Sequence, residues 1–261
     1  MTASRRPVAL ITGGSRGIGA ATALALAARG YDVALTYRNK AARAEAVVGQ
    51  VRALGADALA IGGDMTQADD LQRLITQLSA WRPYLNALIL NASGGLERAA
   101  VAADPNYPMR INRDAQVALV EAALPLMAPG GVITLVTSHW AVLYGRVPQL
   151  PAYEEVARSK RAGEDALRAR QDDFAARGLR LLFVTGDAIE GTITPRLLAR
   201  ATPGLAAQRE EVGELPTVAE MARAIAAATA DHSLPSGHMV VVGRSLEAVL
   251  AAAGSDADGA G

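Results

Sequence analysis

The sequence predicts an α/β fold: a doubly wound sheet of about seven parallel strands with helices on both faces. Three observations carry that prediction. Short apolar runs alternate with longer stretches at helical spacing along nearly the whole chain. The runs are apolar at successive positions, as strands covered on both faces are. A glycine-rich turn, Thr12-Gly13-Gly14-Ser15-Arg16-Gly17-Ile18-Gly19, joins the first run to an alanine-rich segment at 20–28.

In chain order, Val8-Ala9-Leu10-Ile11 is the first strand and 33–37 the second. Residues 41–54 mix polar and apolar positions at helical spacing, and 58–61 form the third strand. Leu71, Leu74, Ile75 and Leu78 share one face of a helix over 69–79. The fourth strand is 86–91, followed by a long helix over 111–127. Residues 132–137 are the fifth strand, and a second long helix covers 153–177. The sixth strand is 181–184, then a helix at 218–230 and a seventh strand at 238–242. Ligands of such a sheet sit at the carboxyl ends of its strands.

Composition narrows the function classes. A chain of 261 residues is ample for a substantial core. Hydrophobic residues make up 51% and charged residues 20%, the balance of a globular protein. Lys+Arg and Asp+Glu both number 26, so net charge favours neither nucleic acid nor an anionic membrane as partner. No stretch approaches the roughly 18 apolar residues of a membrane span, and 8–11 is too short for a signal-peptide core. With no cysteine there is no disulfide and no thiolate chemistry, which fits a cytoplasmic enzyme. His139, His232 and His238 lack metal-ligand spacing, so no metal site is expected.

The glycine turn has a physical reading of its own. Glycines let the backbone turn sharply and approach a ligand closely. A helix starting near Gly17 aims its free N–H groups and positive dipole end at whatever lies above the turn, and a pyrophosphate fits there. An acid about 20 residues beyond would select NAD through the ribose 2′-hydroxyl. Here the second strand ends Thr36-Tyr37-Arg38-Asn39-Lys40, with no carboxylate. Arg38 and Arg16 instead suit a 2′-phosphate, although both also read as solvated surface arginines. The expected cofactor is therefore NADP(H). Asp64, in Gly63-Asp64-Met65, either meets the adenine or caps the helix that follows.

These features resemble the short-chain dehydrogenase/reductase family over essentially the whole chain. The turn from Thr12 to Gly19 is similar to that family's N-terminal signature, and Asp64 to its adenine-contacting aspartate. Leu90-Asn91-Ala92-Ser93 resembles the Asn-Asn-Ala-Gly stretch after the fourth strand, keeping two of its four residues. Asn112, in Met109-Arg110-Ile111-Asn112, matches the asparagine that supports a proton-relay water, and Ser138 stands where the family places its catalytic serine. Ser236 to Val242 resembles the last strand. The resemblance implies a single Rossmann-like NADP(H)-binding domain over 1–253, with a substrate lid at about 187–215 and a flexible tail at 254–261. It implies a small-molecule substrate and a homodimer or homotetramer.

The catalytic segment departs from the family pattern of Tyr, three residues, Lys. After Tyr153 the expected lysine position is Ala157, and the next lysine is Lys160. Tyr, six residues, Lys is similar to the enoyl-acyl-carrier-protein reductase branch. Both spacings keep the pair on one helical face, but seven residues separate them by about 10.5 Å along the axis. Tyr153 is expected to act as acid, Lys160 to lower its pKa and hold the ribose, and Ser138 to steady the substrate oxygen. Tyr144 is a second candidate phenol or a packing residue. Where the family has Pro-Gly after the sixth strand, this chain has Thr185-Gly186-Asp187-Ala188-Ile189-Glu190-Gly191-Thr192. The resemblance carries cofactor contacts to Gly13, Ser15, Arg16, Gly17, Ile18, Gly19, Tyr37, Arg38, Asp64, Met65, Asn91, Ala92, Ser93, Tyr153, Lys160, Gly186, Ile189 and Thr192. Substrate contacts fall to Tyr144, Ser93 and His139. The leading expectation is reduction of a ketone by NADPH. The alternatives are reduction of a conjugated C=C, and a non-catalytic NADP(H)-binding subunit, the last prompted by Ala157 and by Glu154-Glu155 beside Tyr153.

Overall fold

The computed structural model describes residues 5–192 and 215–251. Of the lid expected at 187–215, residues 193–214 lie outside the described residues, as does the tail at 254–261. Seven strands form one sheet in the order β3-β2-β1-β4-β5-β6-β7, and every neighbouring pair is parallel. The strands are β1 Val8–Ile11, β2 Asp32–Tyr37, β3 Ala58–Gly62, β4 Leu85–Leu90, β5 Met127–Val136, β6 Arg180–Gly186 and β7 Met239–Val242. The strand order reverses between β1 and β4, so the crevice of the sheet opens beyond the carboxyl ends of those two strands.

Successive strand residues serve opposite faces, which is why each run is apolar throughout. On one face Ile11, Val33, Leu35 and Val184 meet three helices: α1 Gly17–Ala27, α2 Ala41–Ala53 and, late in the chain, Val218–Ala230. On the other, Leu10, Leu88, Ile133 and Phe183 meet helix α3 Ala68–Trp81 and the helices that follow β4 and β5. Thr217 and Glu220 form a capping box that starts the helix at Val218. Among the described residues, no helix is long and apolar enough to cross a membrane.

Both long helices expected from spacing are broken. After β4 come α4 Arg98–Ala103, α5 Tyr107–Met109, a π-helical turn Arg110–Asp114 and α6 Ala115–Ala123. Pro125 ends the run in a 3₁₀ turn, Leu124–Leu126, and β5 begins at Met127, five residues before the expected 132. A short helix, α7 His139–Val142, follows β5. The segment at 153–177 divides into α8 Glu154–Arg168 and α9 Gln171–Ala176. The break turns Phe174 fully into the core, and Gly178, at φ +68°, ends α9. The helix Val218–Ala230 is α10.

The π-helical turn sits where α8 crosses it. Gly163 of α8 lies against the Asn112 carbonyl, so close that a methyl group there would overlap the oxygen. Gly163→Ala must push α8 off this turn, costing about 1–3 kcal/mol. Chemical denaturation is expected to show that loss, with a melting point lower by several degrees.

Candidate active site

The site is built on Thr12, which directly follows β1 and is completely buried. Its hydroxyl accepts hydrogen bonds from the backbone N–H groups of Asn91 (2.9 Å) and Ala92 (2.8 Å). In return the Asn91 side chain donates to the Thr12 carbonyl at 2.9 Å. The turn after Thr12 is thereby fixed against the loop after β4. Gly13 has φ +68°, and its N–H donates to the Thr36 hydroxyl of β2 at 3.1 Å. At Gly19 a Cβ would collide with the Gly13 carbonyl, so α1 packs onto its own entry turn only through glycine.

Helix α1 opens at Gly17, itself at φ +54°. Its N-cap, Arg16, makes no capping side-chain bond, and the first turn carries no acid. The leading N–H groups of α1 are therefore left for an outside acceptor, and the dipole end favours an anion. Arg16, Ile18, Asn91 and Ser93 line a cleft of about 210 Å³ at this point. Ser15 lies in the turn itself. This cradle fits a dinucleotide pyrophosphate.

At the far end of the sheet, Arg38 leaves β2 and its Nη1 donates to the Tyr107 hydroxyl at 2.8 Å. Asp64 Oδ1 accepts from both the N–H and the hydroxyl of Thr66, at 3.0 and 2.8 Å. Asp64 thus shapes the turn before α3, whose N-cap is Gln67. Its other oxygen stays 3.9 Å from Arg38. Met65 is buried beside Thr36, and Tyr37 closes over Gly62.

The opposite end of the cleft gathers the hydroxyls. Ser138 follows β5 and caps α7, accepting from the Ala141 N–H at 3.3 Å. Tyr153 is the N-cap of α8, and its phenol donates to Ser138 Oγ at 3.3 Å. Burial pushes the Tyr153 phenol up from its ordinary pKa, while the Ser138 bond works weakly the other way. Lys160 Nζ donates to the Val136 carbonyl at 3.2 Å. Burial of that ammonium lowers its pKa to about 8, against the pull of the Glu164 carboxylate. The expected tuning of Tyr153 by Lys160 is not made in this structure. The lysine is two turns along the helix and turned to a backbone carbonyl, and the phenol's shift has burial and Ser138 as its causes.

Other expected residues divide. Gly186, Ile189 and Thr192 line the cleft, Thr192 Oγ1 donating to the Ile189 carbonyl at 2.8 Å. Asn112 is buried, and its side chain is spent on structure. Its amide nitrogen donates to the Gly94 carbonyl and to Ser159 Oγ, both at 2.9 Å, and its oxygen accepts from the Gly94 N–H at 3.2 Å. Its backbone carbonyl faces Gly163. His139, expected at the substrate, turns away. Its ring is 1% exposed, held between the Thr185 hydroxyl (3.1 Å) and the Arg244 carbonyl (2.8 Å), because the residue after Ser138 on a helical turn points into the core. Tyr144 packs against the cluster of Tyr153, Val156 and Ala157 and is not among the residues lining the cleft.

Sequence reading missed the apolar wall of Leu96, Trp140 and Val156, and the Asp187–Arg244 ion pair at 2.7 Å that fixes the loop after β6. Trp140 follows Ser138 by two residues, and that spacing was the only available signal.

A strand–glycine-turn–helix cradle beside a buried Ser–Tyr pair, with a lysine on the same helix, agrees with comparison to known proteins. The short chain dehydrogenase family model matches residues 7–199. The chain belongs to the short chain dehydrogenase family. It is 31% identical over 202 residues to the hydroxynaphthalene reductase of Aspergillus fumigatus, covering 76% of this chain and 71% of that one. It is 31% identical to the 1-cyclohexenylcarbonyl-CoA reductase of Streptomyces collinus, covering 72% and 67%. A short chain dehydrogenase from Burkholderia cenocepacia, solved in complex with NADP, superposes with a TM-score of 0.79 at 28% identity over 93% of this chain and 98% of the other. Membership makes this short chain dehydrogenase an oxidoreductase of the nicotinamide-dependent type.

The lysine supplies a test that is independent of turnover. Lys160 binds its proton less tightly when folded (pKa about 8) than the ordinary lysine value of 10.5. Between those values the unfolded chain holds more protons, so the lysine's contribution to stability rises with pH across that window. From pH 7 to 9.5 the wild type is expected to gain on the order of 1–2 kcal/mol relative to Lys160→Met in urea denaturation.

Proposed function

We propose that this short chain dehydrogenase reduces a ketone of a small or medium, partly apolar substrate with NADPH. The observation that carries the reading is the Tyr153–Ser138 pair, two hydroxyls 3.3 Å apart at the floor of a cleft that runs from the glycine cradle to an apolar wall. The nicotinamide supplies the hydride when bound. The cradle from Gly13 to Gly19 would hold the pyrophosphate, and Ile189 and Thr192, which line the cleft, would border the nicotinamide. Arg16 and Arg38 support a 2′-phosphate, as does the likeness to a dehydrogenase solved with NADP.

In this reading the substrate oxygen sits between the two hydroxyls. Ser138 donates a hydrogen bond to it, and Tyr153 delivers the proton as negative charge grows there. A phenol whose pKa is pushed up by burial keeps its proton until an oxyanion accepts it. Giving that proton up leaves a buried phenolate, which needs a cation nearby. Lys160, protonated below about pH 8, is the cation of that helix that lines the cleft. Leu96, Trp140 and Val156 exclude water and suit an apolar substrate body.

A second reading, reduction of a conjugated C=C, is favoured by the Tyr153–Lys160 spacing. The likeness to 1-cyclohexenylcarbonyl-CoA reductase supports it as well. The same hydroxyl pair would then steady an enolate oxygen.

An enone offered with NADPH separates the two. Allylic alcohol as the product is expected, and saturated ketone as sole product would sink the ketone reading. Tyr153→Phe is expected to lower kcat by about 10²–10⁴-fold while leaving NADPH binding within about twofold. Unchanged turnover in that variant would remove Tyr153 from the chemistry.

A further inference from the structure

Arg38 is a long, exposed side chain at the end of β2, and held freely it would lose substantial rotamer freedom on meeting a phosphate. In this fold it is not free. Its Nη1 donates to the hydroxyl of Tyr107, a residue 69 positions further along the chain in α5. The guanidinium carbon also lies over the Tyr107 ring, 5.9 Å from its centroid. Tyr107 is itself a rigid post. It is 8% exposed and belongs to the same packed cluster as Ile61, Met65, Leu90 and Ile111. Its hydroxyl passes over Gly94, where a Cβ would come within 2.9 Å of the oxygen.

We infer that Tyr107 is a positioning residue for the cofactor, its phenol holding the Arg38 guanidinium at the end of β2 to meet the 2′-phosphate of NADPH. The inference rests on the NADPH reading above. A phenol is suited to this task for an electrostatic reason. A carboxylate in the same place would fix the arginine but cancel its charge. A neutral hydroxyl accepts one N–H and leaves the charge and the remaining donors for a phosphate. Burial pushes the Tyr107 phenol up, so the group stays neutral. The carboxylate that is present, Asp64, has one oxygen occupied by Thr66 and forms only a loose ion pair with Arg38 through the other, at 3.9 Å, which takes none of the guanidinium's hydrogen-bond donors.

The test is calorimetric titration of NADPH and NADH into wild type, Tyr107→Phe and Arg38→Ala, with no turnover involved. Tyr107→Phe removes one hydrogen bond and is expected to weaken NADPH binding about fivefold. NADH, which lacks the phosphate, should stay within about twofold, and this also shows that the variant is folded. Arg38→Ala is expected to weaken NADPH at least as much and to remove the preference over NADH. If wild type and Arg38→Ala behave this way but Tyr107→Phe binds NADPH as well as wild type, the positioning role is wrong and the NADPH reading stands. Tighter NADPH binding by Tyr107→Phe would show that the bond shuts the site, which also overturns the inference. If wild type does not prefer NADPH, the cofactor reading falls and the inference falls with it.

Discussion

One buried hydroxyl holds the two halves of the site together. Thr12 Oγ1 accepts from two successive backbone N–H groups of the loop after β4, at the place where the strand order reverses. Without it the Ala92 N–H would lose its acceptor and the Asn91 N–H would keep only the Ile89 carbonyl at 3.2 Å, at a cost of about 1 kcal/mol per bond. The bonds fix the glycine turn against residues Asn91 to Ser93, so the cleft has a defined width before any ligand arrives. Gly19 then lets α1 settle onto the Gly13 carbonyl, and the helix N-terminus faces the gap. A valine at position 12 would keep the volume and lose the clamp.

A second anchor sets helix α8. Asn112 and Ser159 join the π-helical turn, the Gly94 loop and α8 in one buried network, with Gly163 allowing the close approach. Tyr153 at the head of α8 and Lys160 two turns on are placed by this anchor. Burial acts on both in the same sense, favouring the neutral form, so the phenol rises and the lysine falls to about 8. The slipped spacing therefore does not leave the lysine idle. It turns the ammonium toward the Val136 carbonyl, and both residues line the same cleft as Tyr153.

The fold was largely legible because its strands are buried on both faces and its first turn needs glycine for steric reasons. Seven apolar runs, a glycine motif and an open acid position after β2 are local properties of the chain. Helix ends were less legible. The break that releases Phe174 into the core and the early start of β5 at Met127 reflect packing, which overrides local helical spacing. Asn112 and His139 show the same limit at the site. Each stands at a meaningful position in the chain, yet one has its amide spent on Gly94 and Ser159, and the other lies between Thr185 and Arg244.

By itself the sequence determined the sheet, the glycine turn and the residue types of the hydroxyl pair, because each follows from short-range patterning and backbone sterics. Only the tertiary structure decided which side chains face the cleft. It put Trp140 on the wall and His139 in the core, two neighbours sent opposite ways by one helical turn. It also joined Arg38 to Tyr107 across 69 residues. Side-chain direction and long-range partners depend on how elements pack, and no spacing within a single segment records that.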